Sequence, residues 1–190
     1  ETMYIIGNDF GNWDWNSESI VEMVPVNGME GMFWCTRKIT AGKGFKFCSV
    51  REWNGEFATL GESDVTVEGG NLVVKENGLY TVVVDLAGNK VSVKKAEVYG
   101  IGDAFGSWDA GTPFTINEDG TATITTTAAS ADGGVRMYTA VEGADWWRTE
   151  YIVLDGKIVY RGNGNDQERV AVTAGQTVTL DFNAGTGSIK

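Results

Sequence analysis

Seven tryptophans stand out among the 190 residues of this chain, and most sit where burial is hard to arrange. Trp13 and Trp15 fall in "GNDFGNWDW", a run of Gly, Asn and Asp that favours turns. Trp53 lies in "REWNGE", and Trp146 and Trp147 lie in "GADWWRTE", both polar and turn-rich. Trp108 recurs in "GDAFGSWDA". Trp34 differs, because it alternates with Phe33 in a strand-like run and is expected in the core. An exposed indole presents a flat, electron-rich apolar face. A pyranose ring has a matching apolar face of C–H groups and an equator of hydroxyls. Stacking the two removes apolar surface from water and leaves the hydroxyls free for donors. Charged donors make the stronger bonds. Lys46 in "FKF" and Arg136 in "VRM" precede the second tryptophan loops, and Arg51 and Arg148 lie beside the indoles themselves. The competing reading makes Trp13 and Trp108 structural plugs at the end of a fold and the four cations solvated surface charges.

Other chemistries have little to build on. Histidine is absent, which removes Ser-His-Asp and Cys-His catalysis and every His-ligated metal site. "GIGDAFG" has the wrong glycine spacing for a dinucleotide loop and no helix follows it. A carboxylate pair for glycoside hydrolysis has residues available, but most Asp and Glu sit in turns where solvated charge suffices. "NGNDQE" at 163–168 and "NDFGNWD" offer oxygen ligands for Ca²⁺, yet neither fits a twelve-residue loop. We therefore expect no catalytic residue, no metal and no cofactor. The net charge of −11 opposes nucleic acid. No apolar run reaches the roughly 18 residues of a membrane helix. No signal peptide precedes the strand-like "TMYIIG", so a cytoplasmic protein or a trimmed piece of an exported one is expected.

The elements that must position these residues come in two copies. "YIIGNDFGNWDW" at 4–15 returns as "YGIGDAFGSWDA" at 99–110, identical at seven of twelve positions. "GFKFCS" at 44–49 parallels "GVRMYT" at 134–139, and each copy ends on an alternating strand, "YTVVVDLAGNKVSV" and "TVTLDFNAGTGSI". This organisation predicts two modules, 1–95 and 96–190. "NLVV", "LYTVVVDL", "KVSVKK", "EVYGIG" and "TATITTT" read as strands, and no window holds a helical stripe for three turns. Short strands at this spacing predict an all-β chain of antiparallel sandwiches. The second copy is more polar in its middle, so its strands are less defined. Cys35 and Cys48 flank an expected hairpin, where cross-strand neighbours are either two buried thiols or a disulfide, the latter implying an exported protein. Trp146 and Trp147 are expected to point opposite ways in an extended segment, with one of them core.

"YIIGNDFGNWDW", "MVPV…GMFWCTRKITAGKGFKF", the tryptophan that follows and "GLYTVVVDL" resemble the starch-binding modules of the SusE/SusF outer-membrane lipoproteins of Bacteroidetes. The resemblance covers most of residues 3–95. Over 96–190 the opening and closing strands match while the middle departs. It implies tandem Ig-like sandwich modules that are not enzymes and that hold α-glucan at the cell surface near a transporter. By position it carries over Trp13, Lys46 and Trp53 in the first module, and Trp108, Arg136 and Trp146 in the second. Trp15, Arg51, Trp147 and Arg148 remain secondary candidates. It also implies a lipid anchor, a signal peptide and an N-terminal Ig-like spacer outside this sequence, with outer-membrane localisation. The alternative is a structural or protein-interaction tandem with no glycan site.

Overall fold

Side chains alternate across a strand with period two, and in "FKFC" this buries Phe45 and Phe47 while Lys46 and Cys48 take the other face. The same rule organises the whole chain. A computed structural model describes residues 1–190 and divides into two compact units, Glu1–Lys95 and Ala96–Lys190.

The first unit holds ten strands: β1 (Tyr4–Gly7), β2 (Val21–Glu22), β3 (Val24–Pro25), β4 (Met32–Ile39), β5 (Phe45–Cys48), β6 (Glu62–Asp64), β7 (Thr66–Glu68), β8 (Asn71–Val73), β9 (Gly78–Asp85) and β10 (Lys90–Lys95). They form two five-stranded sheets, ordered β2-β1-β5-β8-β7 and β3-β4-β9-β10-β6. All pairings are antiparallel except β10 with β6. Ile5, Phe45, Phe47 and Leu72 of one sheet meet Phe33, Cys35, Val82 and Val84 of the other in one core. Each fully buried large side chain contributes about 1.5–3 kcal/mol to that packing. Phe10, from the turn after β1, closes the core edge-on against Phe45 at 5.7 Å.

The expected Cys35–Cys48 hairpin does not form. β4 pairs with β3 and β9, whereas β5 pairs with β1 and β8, so the connection crosses between sheets. Alternation assigns a face to each residue but not a partner strand. Both cysteines are buried, free thiols, and burial pushes the Cys35 thiol up to about 11. Trp34 is fully buried, as its strand position requires. Trp34→Ala is expected to cost about 3–5 kcal/mol, whereas Trp53→Ala, at a side chain 52% exposed, should change stability by under about 1 kcal/mol. Urea unfolding of the two variants measures the contrast. An equal loss would place Trp53 in the core.

The second unit holds β11 (Val98–Gly102), β12 (Ser107–Pro113), β13 (Thr115–Ile116), β14 (Ala122–Thr125), β15 (Arg136–Thr139), β16 (Glu150–Leu154), β17 (Lys157–Tyr160), β18 (Thr177–Asp181) and β19 (Thr186–Ile189). Its polar middle is sparse in strands, as expected: between β14 and β15 only the isolated bridge Ser130↔Val172 forms. All nine belong to one antiparallel ladder, β12-β11-β15-β16-β17-β19-β18-β14-β13. The ladder folds over a core that includes Met137, Tyr151, Leu180 and Phe182, with Tyr151 edge-on to Phe182 at 5.6 Å. A single residue pair, Lys157↔Thr186, joins β17 to β19. The match between units reaches residue level: Ile6 pairs with Lys46, and Ile101 pairs with Arg136. No helix is long and apolar enough to cross a membrane.

Candidate functional site

In each unit the candidate indoles gather at the loop that leaves β5 or β15: Trp13 and Trp15 meet Trp53, and Trp108 meets Trp146. In the first unit Gly11, Asn12 and Trp13 all have positive φ, at 76°, 49° and 64°. A tryptophan there is a backbone outlier, held by the Trp13 amide donating to the Gly7 carbonyl at 3.2 Å. Such strain persists only where the surroundings over-determine it, and it clusters at functional sites. The turn brings the Trp13 ring to 6.2 Å from Trp53, with only 25° between planes. Trp15 meets Trp53 edge-on at 5.4 Å and is half-buried.

The loop bearing Trp53 is tied at both ends. Phe47 and Phe57 exchange backbone hydrogen bonds of 2.8 and 2.9 Å across its base. The buried Cys48 thiol donates inside it, to the carbonyl of Asn54 at 3.1 Å. Arg51, a secondary candidate, donates through Nη2 to the carbonyls of Trp15 and Ser17, at 2.8 and 2.9 Å, and clamps the two tryptophan loops together. Lys46 is half-buried on the outer face of β5.

The second unit reaches a similar constellation by a different local route. Trp108 stands on the edge strand β12, not in a turn, and its Nε1 donates to Asp103 Oδ1 at 2.8 Å. Its ring lies against Gly102, where φ is +100° and an added Cβ would come within 2.8 Å of the indole. Only glycine meets both demands. Residues Trp146–Thr149 form a 3₁₀ turn, so the adjacent indoles do not split between core and solvent as an extended segment would make them. Both are half-buried and line the same pocket. Trp108 and Trp146 lie 5.9 Å apart, and Tyr138, stacked on Tyr99, continues the aromatic surface 6.3 Å from Trp146.

Arg136 is 3% exposed rather than a solvated surface charge. Its guanidinium carbon sits 5.9 Å from the Trp108 ring and 5.3 Å from the Trp146 ring. Glu150, which has no solvent exposure, accepts from both its Nε and its Nη2, the latter at 2.8 Å. Asp166 accepts from Nη2 at 2.8 Å. Burial by itself would pull the Arg136 pKa down, but the hydrogen bonds and charges of Glu150 and Asp166 outweigh it and raise the pKa above the ordinary value. Arg161 reaches the same Glu150 at 3.3 Å, and Arg169 holds Asp166 at 2.8 Å. Arg148 and Arg161 lie over Trp147, at 4.3 and 5.3 Å from its ring.

The sequence reading missed Glu150, Asp166, Arg161 and Tyr138. Glu150 did leave a signal: it is the one charge opening the apolar run "EYIVL". Asp166 lies in "NGNDQE", where cation ligands were weighed. It is surrounded by guanidinium groups instead, which disfavours a metal ion there. No group of three His, Cys, Asp or Glu is placed to hold a metal.

Comparison with known proteins places these features. The family described as "SusF/SusE starch specific CBMs" (carbohydrate-binding modules) matches the chain twice, at residues 2–94 and 97–188. The outer membrane protein SusF of Bacteroides thetaiotaomicron is 36% identical over 186 residues, covering 88% of this chain. The crystal structure of SusF from Bacteroides thetaiotaomicron superposes with a TM-score of 0.89 at 30% identity, over 100% of this chain. The chain spans 38% of the length of the first relative and 47% of the solved chain. Two family matches, one in each compact unit, show that the chain belongs to the SusF/SusE family of carbohydrate-binding modules.

Proposed function

We propose that each unit is a non-catalytic module that holds α-glucan, in the manner of starch, on its outer indoles. The observation that supports this best is the pairing of tryptophans in both units, Trp13 with Trp53 and Trp108 with Trp146, the second pair over Arg136, whose strand position Lys46 takes in the first unit. An α-glucan chain curves, and two rings inclined to one another follow a curved ligand better than one flat face. In the first unit Arg51 shapes the patch, while Trp15 packs beneath Trp53. In the second, Trp147 and Arg148 extend it.

The name of the relative supports a place for the whole protein at the outer membrane. A lipid anchor outside these residues and a neighbouring transporter complex complete this reading. The polymer would be captured there and passed on intact. Purified protein is accordingly expected to release no reducing ends from starch over a day. Release that disappears on replacing an Asp or Glu would overturn the non-enzymatic assignment. Intrinsic fluorescence tests the binding itself: titration with a maltooligosaccharide should shift tryptophan emission, and no change at millimolar sugar would remove the stacking reading.

A further inference from the structure

All four arginines of the second unit, Arg136, Arg148, Arg161 and Arg169, gather around one pocket of a chain whose net charge is −11. That pocket, of about 420 Å³, is walled by Trp108, Trp146 and Trp147 on one side. Arg136, Arg161 and Arg169 line the rest, with Asp166 as the lone acidic group in its wall. Glu150 lies beneath, fully buried, and neutralises one more charge. Three guanidinium groups therefore face two carboxylates. The donors are not exhausted either. Arg136 Nη1 and Arg161 Nη2 make no hydrogen bond, and Arg161 Nε is buried without an acceptor. A neutral sugar needs donors for its hydroxyls but no net positive charge. Arginine's fork suits the oxygens of phosphate and carboxylate groups. The first unit has no such cluster: it places Lys46 at the equivalent strand position, and Arg51 is engaged with carbonyls.

We propose that the pocket of the second unit selects glucan carrying an oxyanion substituent, a phosphate ester or a carboxylate, over unmodified glucan. This rests on the reading of the unit as a glycan-binding module. The substituent sits against Arg136, Arg161 and Arg169 while the sugar ring stacks on Trp108 and Trp146.

The test uses the full chain with Trp53→Ala, which silences the first unit. Calorimetric titrations compare three oligosaccharides of equal length: neutral, 6-phosphorylated and oxidised to the uronate at C6. At about 20 mM salt one or both anionic ligands should bind at least ~10-fold more tightly than the neutral one. That preference should shrink at 0.5 M salt, where screening acts within a few ångströms. Arg169→Gln, at a side chain 39% exposed, should cut the ratio of anionic to neutral affinity several-fold. Phosphate preferred alone, or uronate preferred alone, identifies the substituent and supports the proposal. Equal affinity for all three, or a preference indifferent to salt and to Arg169→Gln, overturns it while leaving glycan binding in place. Binding of none overturns the glycan reading of the unit together with this proposal.

Discussion

Replacing Glu150 with alanine is expected to destabilise the second unit by about 3–5 kcal/mol, the cost of leaving a buried charge without its partner. Glu150 has no exposure and takes hydrogen bonds or ion pairs from two guanidinium groups, Arg136 and Arg161. Removal strands Arg136, itself 3% exposed, with only Asp166 at the pocket mouth. It also frees the group that sits between Trp108 and Trp146, so glycan binding by this unit should fall even where the fold survives. Glu150→Gln keeps the shape and one acceptor, and should lie between wild type and alanine in both respects. Equilibrium urea unfolding followed by near-UV circular dichroism reads the stability, and oligosaccharide titration reads the site. A loss under about 1 kcal/mol for the alanine variant would mean that water replaces the carboxylate and that Glu150 does not organise the pocket.

The second large effect is on polymer retention. A shallow patch of two stacked rings and a few solvent-competed hydrogen bonds should bind weakly, on the order of 10⁻⁵–10⁻³ M, or about −4 to −7 kcal/mol. Two such patches on one chain gain by making the second contact intramolecular, by up to about 10²-fold where the polymer reaches both. Trp53→Ala or Trp146→Ala alone should therefore weaken retention in starch-containing gels far more than it weakens binding of a short oligosaccharide to the remaining site. The double variant should migrate as it does in a gel without starch. Trp53 is exposed and Trp146 is half-buried, so folding should survive and thermal unfolding provides the control. A double variant that is still retarded would move the binding surface elsewhere.

Much of this organisation was legible because repetition and alternation are properties of sequence. "YIIGNDFGNWDW" and its echo at 99–110 mark both first strands and place Trp13 and Trp108. The order Gly-x-Lys and Gly-x-Arg ahead of a tryptophan loop places Lys46 and Arg136 at matching positions. What alternation cannot give is the partner of each strand, so "FWCTRKITAGKGFKFC" looks like a hairpin and is a crossing between sheets. The same short motif also hides different backbones: Trp13 sits in a left-handed turn, whereas Trp108 sits on an edge strand. The arginine network was illegible for a further reason. Glu150, Arg161 and Asp166 lie 14, 25 and 30 positions beyond Arg136, and only the ladder β15-β16-β17 with the following loop brings them together. Cations beside an indole look alike in sequence, but Arg51 ties backbone and Arg148 lies over the Trp147 ring.

The measurement closest to the centre is stoichiometry. Calorimetric titration of the unaltered chain with maltoheptaose should give two sites per chain, falling to one in Trp53→Ala, one in Trp146→Ala and none in the double variant. Two sites persisting in the double variant, or no heat at all from the unaltered chain at millimolar sugar, would contradict binding of α-glucan by the paired indoles of each unit.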